Sequence, residues 1–286
     1  MFASFNPGHV GISANLREGL ALAQNHGFTG FDAQLNQIHD EVSSIGAAGV
    51  RDLYVEHQQR VGAWNLPFMP YRVTDSEWRD GITAMTAKLP SAKAIGAERA
   101  AMWIMPSHDE LTYRQNFDHH VARFQPIARR LADHGMRLGL EFIGPETTLK
   151  RARYPFVRSV RETLELADAI GPNVGLLLDS WHWHTAAGTR ADLEHLTKDN
   201  LVHIHVNDAP AGVELPDYID NRRKLPGTTG VIDIKGFMAA LARVKYDGPV
   251  TAEPFDPEVN ALPTAQAAAL TAKTTRFAVA LAYEES

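Results

Sequence analysis

The chain has 286 residues, of which 44% are apolar and 22% are charged, with a formal net charge of −6 and no cysteine. This composition is typical of a folded globular protein and excludes a disordered chain, while the lack of cysteine excludes disulfides, a catalytic thiol and thiolate zinc sites. The acidic charge disfavours nucleic acid and anionic membranes as partners, and we expect a cytoplasmic protein because no signal-like start or apolar run of membrane length is found.

Apolar, strand-like runs alternate with helix-like segments along the whole chain. The strands are predicted to begin near Ala3, Gly30, Val61, Arg99, Met136, Val174, Leu201 and Pro249. Between them, apolar residues recur at the spacing of one helix face. Eight strands that alternate with helices, at an average spacing of about 35 residues, predict a (β/α)₈ TIM barrel formed by a single domain over residues 1–286.

Several helix boundaries and loops can be predicted from capping residues and prolines. Ser13 is predicted to cap the first helix, and the second helix is placed within His39–Arg60. Pro90 and Pro126 fall inside helical segments and are expected to kink or split them. Two connections are longer than simple strand-to-helix turns and are expected to form lids or substrate walls: Gly144–Phe156 and Asn207–Gly230.

Four predicted strands end on side chains that can bind a metal ion: Glu141, Asp179, His205 and Glu253. The carboxyl ends of barrel strands converge on one face, so we expect the four to meet there. Three carboxylates cannot stay ionised side by side without a cation to offset their repulsion. We therefore predict one divalent ion, with Mn²⁺ favoured and Mg²⁺, Co²⁺ or Zn²⁺ as alternatives. For any one of these residues, an isolated hydrogen-bonded group at a sheet end is the alternative.

Other polar and aromatic residues near strand ends are candidates for contact with a substrate. Asn6 and Asn65 end the first and third strands and are candidates to bind hydroxyl groups. Trp103 lies near the end of the fourth strand, where its ring could cover one face of a sugar. Ordinary packing in the core is the alternative for Trp103.

Five segments in the second half of the chain resemble the sugar isomerase/epimerase family of xylose-isomerase-like TIM barrels. They are LEFIG, VGLLLDSWHWH, VHIHVNDAP, RKLPGTTGVID and VTAEPF, in this order. The resemblance is strong from Met136 to the C-terminus and looser before it. It implies that the four strand-end residues are the metal ligands, and that His182 and Arg223 contact the substrate.

The resemblance also implies a reaction. Members of this family move a proton next to the carbonyl of a polyol ketone through an enediolate that the metal holds. Glu141 and Glu253 would be the base and the acid, in either order. Ketose 3-epimerases of the family carry a glutamate where Thr147 stands here, which favours a cyclic or modified polyol ketone over a free ketohexose. The expected partner is a small sugar or cyclitol ketone, and association into a homo-oligomer is left open.

Three other functions remain as alternatives at this stage. The strongest is a metal-dependent dehydratase or lyase of a keto-sugar or a related cyclic ketone, because loss of a β-hydroxyl begins with the same proton abstraction. An endonuclease of the same fold, acting at abasic sites, uses three metals, but Asn221 and Arg223 stand where its third-metal ligands would be. A sugar-binding barrel without catalysis is the third alternative.

Overall fold

The computed structural model describes residues 1–284 and confirms the predicted barrel. Its strands, all parallel, are β1 Phe2–Phe5, β2 Gly30–Phe31, β3 in two parts (Arg60–Val61 and Ala63–Asn65), β4 Arg99–Ile104, β5 Arg137–Phe142, β6 Val174–Asp179, β7 Leu201–Val206 and β8 Pro249–Ala252.

The third strand closes the barrel because its two parts pair with different neighbours. Arg60–Val61 pairs with β2, and Ala63–Asn65 pairs with β4. Only Gly62 separates the two parts, and a Cβ atom at this position would lie 1.8 Å from Asp32 Oδ1 and 2.9 Å from the Phe31 carbonyl oxygen. The sheet therefore turns at a residue where no side chain fits, and its two ends meet in one stretch of chain.

The helices surround the sheet. They are α1 Leu16–His26, α2 Leu35–Glu56, α3 Asp75–Thr86, α4 Leu89–Ile95, α5 Tyr113–Ala132, α6 Glu146–Leu149, α7 Val160–Ile170, α8 Ser180–Thr185, α9 Ile234–Arg243, α10 Pro257–Asn260 and α11 Thr264–Leu281, with 3₁₀ turns at Pro7–Val10, Arg190–His195 and Leu215–Asp217. Within residues 1–284, no helix is both long and apolar enough to cross a membrane.

Some predicted helix boundaries need correction. Ser13 does not cap α1: the cap is Asn15, whose side chain accepts the backbone N–H of Glu18 while the Glu18 carboxylate accepts the backbone N–H of Asn15. This reciprocal pair satisfies two N–H groups at the start of the helix that have no helical partner. Ser13 lies two residues before Asn15 and is too far from the first turn to do the same. The second helix begins before the predicted range and is interrupted at Gly46, where φ is 77° and ψ is 160°.

The two prolines behave differently. Pro90 lies in the first turn of α4, after α3 has ended at Thr86, so the predicted split is confirmed. The first turn tolerates proline because its N–H groups have no helical partner. Pro126, by contrast, lies within α5, which continues past it to Ala132.

A polar layer fills the barrel beneath the strand ends. Asp32 is buried and accepts hydrogen bonds from Ser4 Oγ and Thr251 Oγ1, each at 2.6 Å, and from the backbone N–H of Ala63 at 3.0 Å. His203 Nε2 lies 3.7 Å from Asp32 Oδ2. Burial raises the pKa of Asp32, although these hydrogen bonds oppose the shift. The layer supports the residues at the ends of β7 and β8 from below.

The two long connections are structured. Gly144–Phe156 contains α6 and the short strand Tyr154–Pro155, which pairs antiparallel with Ser107–His108 from the loop after β4. The connection after β7 carries Arg223 and returns to its own start through a bridge between Asp208 and Lys224. Both segments lie at the carboxyl ends of the strands, where loops of this fold form the site.

Candidate metal centre

The structure brings together the four side chains predicted as metal ligands. Glu141 and Asp179 belong to the ends of β5 and β6, His205 belongs to β7, and Glu253 directly follows β8. Each residue is at least nine-tenths buried, and one ligand atom from each lies within 4.8 Å of all the others. The convergence follows from strand register, since His205 pairs directly with Asp179.

The spacing of these atoms fits a divalent cation. His205 Nδ1 lies 3.1 Å from Glu141 Oε1 and 3.2 Å from Glu253 Oε2. Around a cation with metal–ligand distances of about 2.1 Å, neighbouring ligand atoms are about 3.0 Å apart and opposite ones about 4.2 Å. The three oxygen ligands and one imidazole nitrogen also suit Mn²⁺, Mg²⁺, Co²⁺ or Zn²⁺ chemically. The residues present therefore fit the predicted ion.

Charge in this cluster alters two pKa values in the same direction. Burial, together with the nearby charges of Glu253 and Asp179, raises the pKa of Glu141 to about 7, against the opposing effect of His205. Burial alone would lower the pKa of His205, but the two glutamates that it contacts raise it well above its usual value. Both groups therefore hold protons more strongly than in water.

Arg223 supplies the positive charge on the other side of the cluster. Its Nη1 donates to Asp179 Oδ2 at 2.9 Å and to Glu253 Oε2 at 2.7 Å, and its Nη2 donates to Asp220 Oδ1 at 3.0 Å. Burial would raise the pKa of Glu253, but His205, His9 and Arg223 together lower it well below its usual range. Asp220, which the sequence analysis did not identify, holds the guanidinium in place by accepting a hydrogen bond from its Nη2.

His182 presents a hydrogen-bond donor beside the guanidinium. The backbone N–H of Gly144 donates to His182 Nδ1 at 3.1 Å, so the proton of the neutral ring is assigned to Nε2. Burial and the neighbouring Arg223 charge lower the pKa of His182, which keeps the ring neutral. Its Nε2 lies 3.1 Å from Arg223 Nη2. One oxygen atom beside the pair, about 2.9 Å from each nitrogen, could accept from both donors.

One further residue of the cluster, His9, was missed by the sequence analysis. It lies in the 3₁₀ turn after β1, with Nε2 at 3.3 Å from Glu253 Oε1 and its ring edge-on to His205. Burial lowers the pKa of His9 to about 4. His9 comes four residues after Phe5, the last residue of β1. A search for polar residues shortly after each strand end would therefore have identified it.

The remaining predicted substrate residues fall into two groups. Trp103 lines a large cavity at the strand ends together with Glu141, His182, Arg223 and Glu253. Asn6 and Asn65 do not line this cavity but border a much smaller one that His9 and His205 also line. Asn6 caps the 3₁₀ turn by accepting the N–H of Gly8, and its Nδ2 lies 3.0 Å from His9 Nε2. The structure therefore does not bring Asn6 and Asn65 to the large cavity.

The family model described as xylose isomerase-like TIM barrel matches residues 20–276. The chain belongs to this family. The match covers nearly the whole barrel, and the family predicted from the five segments is confirmed.

Two relatives match the chain along nearly its full length. An inosose isomerase of Bacillus velezensis is 22% identical over 285 residues, which is 98% of this chain and 97% of that protein. A xylose isomerase domain protein of Alicyclobacillus acidocaldarius has a structure that matches with a TM-score of 0.86 and 27% identity, covering 99% of this chain and all of that one. The class predicted from the sequence, a sugar isomerase or epimerase, is the class of the first relative.

Two other relatives bear on the metal and on the reaction. The IOLI protein, whose structure was solved with a zinc atom, matches with a TM-score of 0.82 and 20% identity over the whole of both chains. A 3-dehydroshikimate dehydratase of Pseudomonas aeruginosa is 27% identical over 141 residues, which is 48% of this chain and 21% of that protein. The relatives of this chain thus include proteins named for isomerisation and proteins named for dehydration.

Proposed function

We propose that the protein is a divalent-metal-dependent isomerase or epimerase of a small polyol ketone, a sugar or a cyclitol, most similar to inosose isomerase. The observation that supports this most directly is the contact of two buried glutamates, Glu141 and Glu253, with the same nitrogen of His205 at the inner end of the large cavity. Two carboxylates on opposite sides of one metal ligand can exchange protons with a substrate between them.

A bound cation would be held by the four strand-end ligands, with Mn²⁺ favoured and Mg²⁺, Co²⁺ or Zn²⁺ as alternatives. Its contribution would be to polarise the substrate carbonyl and so to acidify the adjacent C–H group. The same site excludes bulk water, since every ligand is at least nine-tenths buried. Electrostatic interactions in such a site are stronger than at the protein surface.

The proton transfer itself falls to Glu141 and Glu253. One carboxylate takes the proton from the carbon next to the carbonyl, and the electron pair of the broken C–H bond forms the enediolate. The other carboxyl group returns a proton, to the opposite face of the same carbon for an epimerisation or to its neighbour for an isomerisation. Either glutamate can take either role in this scheme.

His182 and Arg223 would stabilise the charge that develops on the substrate oxygen. His182 Nε2 and Arg223 Nη2 lie 3.1 Å apart, so a substrate oxygen beside the pair, about 2.9 Å from each nitrogen, would accept a hydrogen bond from both. Arg223 can donate to the substrate oxygen while it keeps its ion pairs, because a guanidinium has five N–H donors.

A second function, dehydration of a keto-sugar or related cyclic ketone, is favoured by the partial match to the 3-dehydroshikimate dehydratase. It begins with the same proton abstraction and ends with loss of the β-hydroxyl. At the position where the family's ketose 3-epimerases carry a further glutamate, Thr147 donates from Oγ1 to the Tyr218 carbonyl oxygen at 2.6 Å. This contact offers no carboxylate to a free ketohexose and supports a cyclic or modified ketone as substrate.

Proton NMR in D₂O of the metal-loaded protein tests the proposal, with 2-keto-myo-inositol, free ketoses and dehydroshikimate as substrates. The expected result is deuterium next to the carbonyl together with an isomer. Deuterium accompanied by loss of a hydroxyl would establish the dehydratase instead. The absence of exchange with every ketone would refute both reactions.

Two variants separate the proposed roles. Glu253→Gln should abolish turnover while retaining metal, bound more weakly, because an amide cannot accept the proton; substantial residual activity would remove Glu253 from proton transfer. His182→Ala should reduce turnover more than metal content. If it lost as much metal as His205→Ala, His182 would be a ligand rather than a substrate contact.

A further inference from the structure

Asn207 joins the ends of three strands that carry predicted metal ligands. It directly follows β7 and is completely buried. Its side-chain Nδ2 donates to Asp179 Oδ1 at 3.0 Å, at the end of β6. Its side-chain Oδ1 accepts the backbone N–H of Glu253, after β8, at 2.8 Å. Both polar atoms of the amide are therefore used, and each contacts a predicted metal ligand.

The backbone of Asn207 is held as firmly as its side chain. Its N–H donates to Ser180 Oγ at 2.8 Å, and the Ser180 hydroxyl donates to the Asn207 carbonyl oxygen, also at 2.8 Å. Ser180 is completely buried and directly follows Asp179. These partners leave the amide one orientation: the Glu253 N–H can only donate, so it faces Oδ1, and Nδ2 then faces the carboxylate.

The two oxygens of Asp179 have different partners. Oδ1 accepts the backbone N–H of Trp181 at 2.8 Å in addition to the Asn207 amide. Two donors match the two lone pairs of one carboxylate oxygen. Oδ2 accepts from Arg223 Nη1 at 2.9 Å, and the same Nη1 also donates to Glu253 Oε2. Oδ2 is therefore the oxygen on the side of the other ligands, and it keeps a lone pair for a cation.

A carboxylate held in this way can offer one oxygen to a cation but not two. Turning Oδ1 of Asp179 toward the cation would break its hydrogen bonds to Trp181 and Asn207. The number of oxygens matters because Mg²⁺ requires near-octahedral geometry at about 2.1 Å, whereas Ca²⁺ takes about six to eight oxygens at about 2.3–2.6 Å and often binds both oxygens of a carboxylate. A site in which Asp179 gives a single oxygen therefore disfavours Ca²⁺.

We propose that Asn207 is a positioning residue that keeps Asp179 a one-oxygen ligand and thereby selects a small octahedral cation over Ca²⁺. The proposal rests on the cation site of the proposed function, but not on its reaction. Replacing a residue that orients a metal ligand costs about 10–100-fold in metal affinity. Loss of Asn207 should weaken Mg²⁺ more than Ca²⁺, because a released Asp179 can offer both oxygens to the larger ion.

Displacement of Mn²⁺, followed by its EPR signal, measures the two affinities in the absence of any substrate. Mg²⁺ and Ca²⁺ are each titrated against the Mn²⁺-loaded protein at pH 8. For the wild type we expect a Kd for Ca²⁺ at least about tenfold above that for Mg²⁺. Asn207→Leu keeps the shape of the side chain without its hydrogen bonds, and it should raise the Kd of Mg²⁺ by about tenfold or more and that of Ca²⁺ by less than about threefold. The lost bond to Glu253 acts on both ions, so the ratio of the two Kd values reports on Asp179.

Asn173→Leu is the matched control. Asn173 donates from Nδ2 to the Ala128 and Met136 carbonyl oxygens at 2.9 and 3.0 Å, and it directly precedes β6, at the opposite end from Asp179. Its replacement also removes two hydrogen bonds, so it should lower stability but change neither Kd by more than about twofold. If Asn207→Leu raised both Kd values by the same factor, or changed neither, the assignment of selectivity to Asn207 would be overturned.

A crystal structure of the Mn²⁺-loaded wild type tests the proposal without any variant, so a variant that fails to fold does not affect the result. We expect the ion on Asp179 Oδ2, with Oδ1 still bonded to Asn207; an ion on Oδ1 or on both oxygens would refute the proposal. Binding through Oδ2 without deuterium exchange in any ketone would retain the role of Asn207 and refute the proposed reaction. No binding of Mn²⁺ by the wild type would refute the metal dependence itself, an outcome distinct from binding without the expected selectivity.

Discussion

Replacing Arg223 with methionine tests the electrostatic account of the site most directly. The guanidinium is 2% exposed and donates to Asp179, Glu253 and Asp220 at 2.7 to 3.0 Å. Methionine keeps much of the side-chain volume but removes the only cation that contacts all three acids within residues 1–284. Breaking a buried ion pair from one side costs about 3–5 kcal/mol, because the remaining charges stay buried without compensation.

This cost should be visible in thermal unfolding of the metal-free protein. At about 2 °C per kcal/mol for a chain of this length, Arg223→Met should lower Tm by about 6–10 °C at pH 7. The control is Arg190→Met, which breaks an exposed pair with Asp233 and should cost less than about 1 kcal/mol. Addition of Mg²⁺ or Mn²⁺ should reduce the deficit, because a cation among the same acids replaces part of the lost charge.

The pH dependence separates lost charge from lost packing. The pKa values of Glu253 and Asp220 lie below their usual range in the folded protein, partly because of Arg223. Depressed carboxyl pKa values contribute stability above the unfolded pKa, which is lost as pH falls through the folded value. Removing Arg223 should therefore cost more at pH 7 than at about pH 4. An equal loss of Tm at both pH values would refute the electrostatic explanation and leave packing as the cause.

Two further predictions concern the metal and the barrel closure. Metal affinity measured by calorimetry should be weaker at pH 6 than at pH 8, because Glu141, with a pKa of about 7, and His205, whose pKa is raised, must release protons to bind the ion; equal affinities would contradict this. In a denaturant titration, Gly62→Ala should lower the free energy of unfolding by about 3 kcal/mol or more, because its Cβ would overlap Asp32. Gly171→Ala is the control. Its Cβ would make only ordinary contacts, so it should cost less than about 1 kcal/mol.

The sequence predicted the barrel and its ligands because both follow from local patterns. A strand such as Val174–Asp179 is buried along its whole length, so its apolar run and the acid at its end are visible without tertiary information. Parallel strands then place such ends on one face, which is why four residues far apart in sequence could be grouped.

What the sequence did not predict depends on packing between elements. Asn6 ends β1 as expected, but it caps the following 3₁₀ turn, and this turn carries His9 to Glu253 instead. The cavity is lined by residues of α5 such as His120, by Ser107 of the short strand after β4 and by Thr148 of α6. Helical periodicity does not distinguish a buried polar residue that lines a cavity from one that packs in the core, so His120 was not identified as a cavity residue.

The charges of the site indicate that protons and a divalent cation compete for the same place. Four carboxylates gather around Arg223, the only arginine or lysine within hydrogen-bonding distance of them in the described chain, and this leaves excess negative charge. In the metal-free protein protons offset part of this excess: burial, helped by the charges of Glu253 and Asp179, raises the pKa of Glu141, and the two glutamates raise the pKa of His205. A cation bound to these residues supplies the positive charge instead and frees both groups as ligands. The proton transfer that we propose would therefore depend on the cation twice, for the acidity of the substrate and for the ionised state of the carboxylate that takes its proton.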